Sequence, residues 1–197
     1  ISCLNNHKQL AIASTMYASD YNGHFTAPTW FPSELNKLPA DSDRTGSDDD
    51  LSYLYPTYIR SLGSFTCPAA RQHKVRSDYV ITKPGTGEKV MGDLIVLAKA
   101  PNFWGLSYEV FGLFTGTSIP NPKKTENRVN NFTIRANHPF LANRRPGPSA
   151  IFLMIDADTG KNNPPILSQN DNNNFPDRED NHGLDGSLMS FCDGHAE

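Results

Sequence analysis

A chain of 197 residues with a net charge of −3 and a pI near 6.1 offers no basic face to a phosphate backbone, so nucleic acid is not an expected partner. Its hydrophobic share of 37% and mean hydropathy of −0.52 suit one domain, residues 1–197, with a modest core. No run reaches the ~18 apolar residues of a membrane helix. Fifteen prolines and fourteen glycines, with runs of Asn and Asp, predict much loop. The compact basic pairs, Lys123-Lys124 and Arg144-Arg145, read as solvated loop charges.

Residues 1–22 read as a helix. Leu10, Ala13, Tyr17 and Tyr21 recur at helical spacing, Ile12 and Met16 widen the stripe, and this face is expected to hold the sheet. Asn22-Gly23 closes the helix, since glycine accepts the left-handed conformation of a C-cap. Only Ser2 offers a weak cap at the start, and the periodicity runs almost to residue 1, so the helix is expected to continue from a longer precursor.

Residues 23–74 form an irregular segment. Asp41, Asp43, Asp48, Asp49 and Asp50 around Arg44 read as a solvated loop or as charge favouring the next helix, rather than as a calcium site. Leu51, Leu54, Tyr58 and Leu62 predict a short helix, interrupted by Pro56 and ended by Gly63, with a short extended piece over residues 65–68.

From residue 75 to 197 the signals are those of antiparallel strands: 78–82, a Gly-Thr-Gly turn at 85–87, then 94–97 and 108–114. A loop over 121–131 precedes an edge strand at 132–134, and the apolar run 150–155 is the best central strand. A polar loop from 158 to 186 leads to a last strand, 187–192, and the turn Asp193-Gly194. Helix first, strands after, gives an α+β fold: an N-terminal helix packed on a small antiparallel β-sheet with long loops.

Cys3, Cys67 and Cys192 show no C-x-x-C, which argues against zinc; they permit one disulfide and one free thiol, with the pairing left open. His182 with Asp180 or Asp193 is the best acid/base pair, and Ser187 or Ser190 the nearest nucleophile. No G-x-S-x-G elbow, H-E-x-x-H or phosphate-binding glycine loop accompanies them, so no catalytic machinery is expected.

Metal binding has a better basis. Asp156 and Asp158 flank a strand end before Gly160, and Asp177, Asp180 and Asp185 follow, oxygen ligands suited to calcium. The candidate ligand set is Asp156, Asp158, Asp177 and Asp180. It is not an EF-hand, because Leu167 stands where the bidentate Glu is needed. The other reading is an ordinary turn with Asp capping backbone amides. Trp30, Phe31, Phe103 and Trp104 in loops offer a sugar platform or cover the core. A secreted calcium- or carbohydrate-binding surface module is therefore the competing function; no cofactor other than calcium is expected.

Four motifs in order, the first in two parts over residues 3–25, carry a family resemblance. Cys3-Leu4-Asn5-Asn6-His7-Lys8-Gln9-Leu10 is similar to a "C-x-N-N-x-K-Q-L/I" stretch, and Tyr17 to Phe25 to a "Y-x-x-D-x-N-G-x-F-P" helix end, from which Thr26 departs, with Pro28 later. Phe65-Thr66-Cys67-Pro68 resembles "F-x-C-P", and Pro148-Ser149 to Asp156 resembles "P-S-x-x-x-L-x-x-D". His182 to Asp193-Gly194 resembles a His-x9-Asp-Gly tail, with ten intervening residues here.

Together these resemble bacterial pilin-like proteins with a prepilin-type N-terminal cleavage and methylation segment, of the planctomycete and verrucomicrobial kind. The resemblance implies the head of a type IV pilin or type II secretion pseudopilin, a structural subunit for filament assembly. It implies a leader and roughly 20 apolar residues before Ile1, anchoring the helix in the inner membrane, with the head in the periplasm or at the cell surface. The implied partners are other pilin or pseudopilin subunits, the inner-membrane assembly platform and prepilin peptidase.

Overall fold

Helix α1 (Ser2–Asp20) buries Cys3, His7, Leu10, Ala11, Ala13, Ser14 and Ala18 in the computed structural model. The model describes residues 2–26, 50–70, 73–82, 87–95, 105–114, 123–134, 136, 138–157 and 181–197. The buried set follows one side of the helix, and its middle is small: Ala11, Ser14 and Ala18 carry little bulk, so neighbouring backbone approaches closely. Ser14 disposes of its hydroxyl by donating to Leu10 O at 2.8 Å.

The expected packing stripe is thus partly displaced. Leu10 and Ala13 are buried and Tyr17 is half-buried, but Tyr21 is 53% exposed and stacks on Tyr17 with ring centroids 4.4 Å apart. Ile12 and Met16 do not widen the stripe; at 53% and 51% exposure they face solvent. With 3.6 residues per turn they fall across the helix from Ser14. The cap is as expected: Asn22 and Gly23 take φ of 54° and 76°, and Gly23 N–H donates to Ala18 O at 2.7 Å.

Against this helix lies a three-stranded antiparallel sheet of β3 (Tyr108–Val110), β4 (Phe152–Asp156) and β5 (Met189–Phe191), in the order β3-β4-β5. The apolar run at 150–155 therefore supplies the central strand, with Leu153 to Asp156 all buried. Tyr108 pairs with Asp156 and Val110 with Met154 on one side; Met154 pairs with Ser190 and Ile155 with Met189 on the other. The core gathers Leu10, Leu54, Phe65, Tyr108, Val110, Leu153 and Met154. Gly194, at φ +92°, turns the chain after β5, and Glu197 N–H returns to Met189 O at 3.0 Å. A separate hairpin pairs β1 (Val80–Thr82) with β2 (Lys89–Met91).

Several sequence expectations are corrected. The helix over 51–62 is absent; 3-10 turns at Ser52–Leu54 and Leu62–Phe65 stand instead, with Gly63 inside the second. Pro56, lacking an N–H, cannot continue a helical ladder, yet Leu51 and Leu54 are still fully buried. The strand at 94–97 is not formed at its start: Gly92–Leu94 is a 3-10 turn whose Asp93 carboxylate accepts from Arg76 N, Nε and Nη2, each at 2.8 Å. The strand at 108–114 stops at Val110, and β2 forms between the turn expected at 85–87 and the strand expected at 94–97, where no element was expected.

The loop over 121–131 contains a short helix, α2 (Glu126–Asn131), and 132–134 is not a strand. Thr125 caps α2, its Oγ1 accepting from Arg128 N–H at 3.2 Å. Replacing Thr125 by Ala is expected to cost about 1 kcal/mol. Urea denaturation checks this; an unchanged midpoint would show that the cap contributes nothing.

Two charges expected in solvent are buried. Lys124 is 4% exposed: its Nζ donates to Phe152 O at 2.7 Å and lies 4.8 Å from the Phe152 ring centre. Asp50 is 1% exposed, its Oδ1 accepting from Ser52 N–H at 3.1 Å and Ser52 Oγ at 2.6 Å. The rest of the acidic run lies outside the described residues, as do Trp30, Phe31, Phe103 and Trp104. Among the described residues, no helix is long and apolar enough to cross a membrane.

Candidate functional site: a buried cluster joining the sequence motifs

The "C-x-N-N-x-K-Q" stretch occupies the first turns of α1, and its polar residues fasten the helix to the chain around residues 62–67. Cys3 and Cys67 form the disulfide that spacing had left open, with Cα atoms 5.1 Å apart. Asn6 Nδ2 donates to Thr66 O at 2.9 Å and to the Tyr108 hydroxyl at 3.2 Å. Ser64 Oγ donates to Gln9 Oε1 at 2.8 Å. Cys192 is the remaining thiol; burial pushes it up to about 12, against the pull of Lys124, so it stays protonated and unreactive.

His7, four residues after Cys3 and fully buried, reaches inward from the same face of α1. Its Nε2 donates to Asp156 Oδ1 at 3.2 Å, and its ring meets Tyr108 edge-on at 4.6 Å. Burial is also what pushes the Tyr108 phenol well above its ordinary value. Asp156, at the end of β4, takes up further donors: Asn181 Nδ2 at 3.1 Å on Oδ1, and Leu188 N–H at 2.7 Å on Oδ2. Asn181 Nδ2 also reaches Ser107 O, and Ser107 Oγ accepts from Cys67 N–H.

His182 completes the cluster from the opposite side. Its Nε2 lies 3.5 Å from Asp156 Oδ2 and 3.5 Å from Cys67 Sγ, and its side chain is 28% exposed. Four motifs spread over the sequence therefore converge: Cys3 from the first, Cys67 from the second, Asp156 from the third and His182 from the fourth.

This arrangement is not a nucleophilic relay. Cys67 is tied in a disulfide, and His182 presents one nitrogen to both sulfur and carboxylate, where a relay needs the two ring nitrogens on opposite sides. The sequence pairing of His182 with Asp193 is not formed; Asp193 Oδ1 binds His195 Nδ1 at 2.6 Å. Burial opposes ionisation of Asp193, but the hydrogen bonds from His195 outweigh it and hold the carboxyl below its ordinary value. Ser190 is buried and Ser187 half-buried, and Asp180 lies outside the described residues.

Of the candidate calcium ligands, Asp158, Asp177 and Asp180 also lie outside the described residues. Asp156 is described, and its oxygens serve the donors above. Cys3 Sγ, Cys67 Sγ and His182 Nε2 lie within 4.8 Å of one another, a grouping that sequence spacing gave no reason to expect. Reading the sequence also missed His7, Ser107 and Asn181. His7 had one available signal, the helical i, i+4 relation to Cys3; Ser107 and Asn181 sit in irregular chain and had none. Comparison with protein-family models, with curated proteins and with solved structures finds no match.

Proposed function

We propose that the chain is the extracytoplasmic head of a pilin-like subunit, whose work is assembly with other pilin or pseudopilin subunits rather than catalysis. The observation that carries this reading is the division of α1. One side is taken up by the sheet, the turns at 52–54 and 62–65 and the Cys3–Cys67 crosslink, while the other sets Ile12 and Met16 in solvent at 53% and 51% exposure. Two large apolar side chains on the otherwise polar solvent side of a helix are suited to a contact that covers them. In a filament the second side meets the helices of neighbouring subunits. A buried disulfide supports placement in an oxidising compartment, the periplasm or the cell surface. The anchor, the inner-membrane platform and prepilin peptidase belong to the same proposal, through the segment expected before Ile1.

Ile12→Asp with Met16→Asp separates packing from assembly. In the isolated chain the pair should shift stability by no more than about 0.5 kcal/mol per site, because neither side chain is in the core. In the full-length subunit it should abolish incorporation into filaments, read by shearing and cross-linking from cells. Normal incorporation would overturn the reading. So would a precursor whose sequence upstream of Ile1 holds an ordinary secretion signal or a second globular domain in place of ~20 apolar residues behind a basic leader.

A further inference from the structure

We infer that the Cys3–Cys67–His182 grouping is a site for a thiophilic cation such as Zn²⁺, occupied when the disulfide is reduced, so that crosslink and cation are alternative closures of one locus. Three ligands of kinds that zinc favours, two thiolates and an imidazole nitrogen, lie within 4.8 Å of one another although they come from residues 3, 67 and 182. The distances already fit. Zinc bonds of about 2.3 Å to sulfur and about 2.0 Å to nitrogen place the two atoms about 3.5 Å apart on a tetrahedral ion. Cys67 Sγ and His182 Nε2 are 3.5 Å apart. Once its bond is broken the sulfur pair opens to about 3.8 Å by the same geometry, and Cys3 Sγ settles about 3.5 Å from His182 Nε2, within the 4.8 Å that the three atoms already span.

The rest of the cluster is built to support this. His182 is 28% exposed while Cys3 and Cys67 are buried, so the imidazole stands at the mouth and the sulfurs behind it. Two buried polar atoms, His7 Nδ1 and Asn181 Oδ1, have no hydrogen-bond partner among the described residues, and both belong to side chains bonded to Asp156. Buried atoms of this kind carry a desolvation penalty, and both belong to the Asp156 network that also touches His182. With three protein ligands, the fourth position is left for water or an exogenous donor.

The step balances. A dithiol reductant transfers two electrons and two protons to Cys3–Cys67 and leaves as its own disulfide. The cation then displaces the two thiol protons to solvent and takes the lone pair of neutral His182 Nε2, which gives up its contact with Asp156.

The test uses the whole chain carrying Cys192→Ser, so that only the two relevant sulfurs remain, reduced with a water-soluble phosphine that leaves as its oxide with oxygen from water. Co²⁺ titration should give one ion per chain, a near-ultraviolet thiolate-to-cobalt charge-transfer band and the visible bands of a four-coordinate ion, all displaced by Zn²⁺. His182→Ala should weaken binding roughly 10–100-fold or more, and the oxidised chain should show no such band. If reduction loosens the fold, Zn²⁺ should restore its circular dichroism, because binding energy at such a site is folding energy. Absence of the charge-transfer band, equal affinity in His182→Ala, or a reduced chain that Zn²⁺ leaves unfolded would each overturn the assignment.

Discussion

Replacing Cys3 and Cys67 together by Ser is expected to lower the unfolding free energy by about 4 kcal/mol, the chain-entropy value for a loop of this size. The crosslinked cysteines stand 64 positions apart, and between the end of α1 and Cys67 the described residues hold no longer element than the turns at 52–54 and 62–65. That stretch relies on α1 for its order, through Asn6, Gln9 and the crosslink itself. A domain of this size has a total stability of about 5–15 kcal/mol, so the variant should be marginal at 37 °C. The check is urea denaturation followed by far-ultraviolet circular dichroism in matched buffers. A loss below about 1 kcal/mol would mean that the segment is held by its packing and that the crosslink is redundant.

Asp156→Ala should cost nearly as much, roughly 3–5 kcal/mol, although it removes only a few atoms. The carboxylate is the common acceptor for His7, Asn181 and the Leu188 N–H, which come from the helix, the approach to β5 and the start of that approach's final stretch. Truncation leaves the His7 imidazole and the Leu188 N–H without this acceptor and takes one of two acceptors from Asn181 Nδ2; a buried donor left unpaired costs about 1–3 kcal/mol. Asp156→Asn keeps one acceptor oxygen and should cost visibly less. With a urea slope of about 2 kcal/mol/M, the alanine variant's midpoint should fall by about 1.5–2.5 M. Equal losses for Asn and Ala would show that the charge, and not the acceptor count, holds the cluster.

The sequence made some of this legible and concealed the rest for physical reasons. Helix α1, its glycine cap, the central strand and the final turn rest on local signals: periodicity, a left-handed glycine and an uninterrupted apolar run. The buried side of α1 was harder to place because its marks are small or polar. Ala11, Ser14, Ala18 and His7 weigh less in an apolar pattern than Ile12 and Met16, which face solvent. Leu51 and Leu54 are core residues as their character predicts, but burial can be reached from a 3-10 turn as well as from a helix.

The candidate site was visible only in pieces. Cys3, Cys67, Asp156 and His182 each stood in a stretch with a family likeness, and nothing in one stretch points to another. Their meeting is decided by which face of α1 turns inward and by how β4 aligns with β3 and β5. Asp156 illustrates the limit. Its place at a strand end with a nearby carboxylate reads equally as a calcium ligand or as a turn cap. What it does in the described structure is join three distant pieces of backbone and side chain.

That same junction has a consequence in time. His7 and Asp156 stand 149 positions apart, and the strand that flanks β4 on its far side is later still. A chain made at ~5–20 residues per second leaves α1 without its sheet for on the order of ten to forty seconds. The turns at 52–54 and 62–65 come earlier, but neither they nor β3 supply the carboxylate or the central strand. Contacts this distant along the chain also make closure slow once everything is present. The helix made early must wait for the strand made late, and until then the part of its face that meets the sheet is open to whatever else is near.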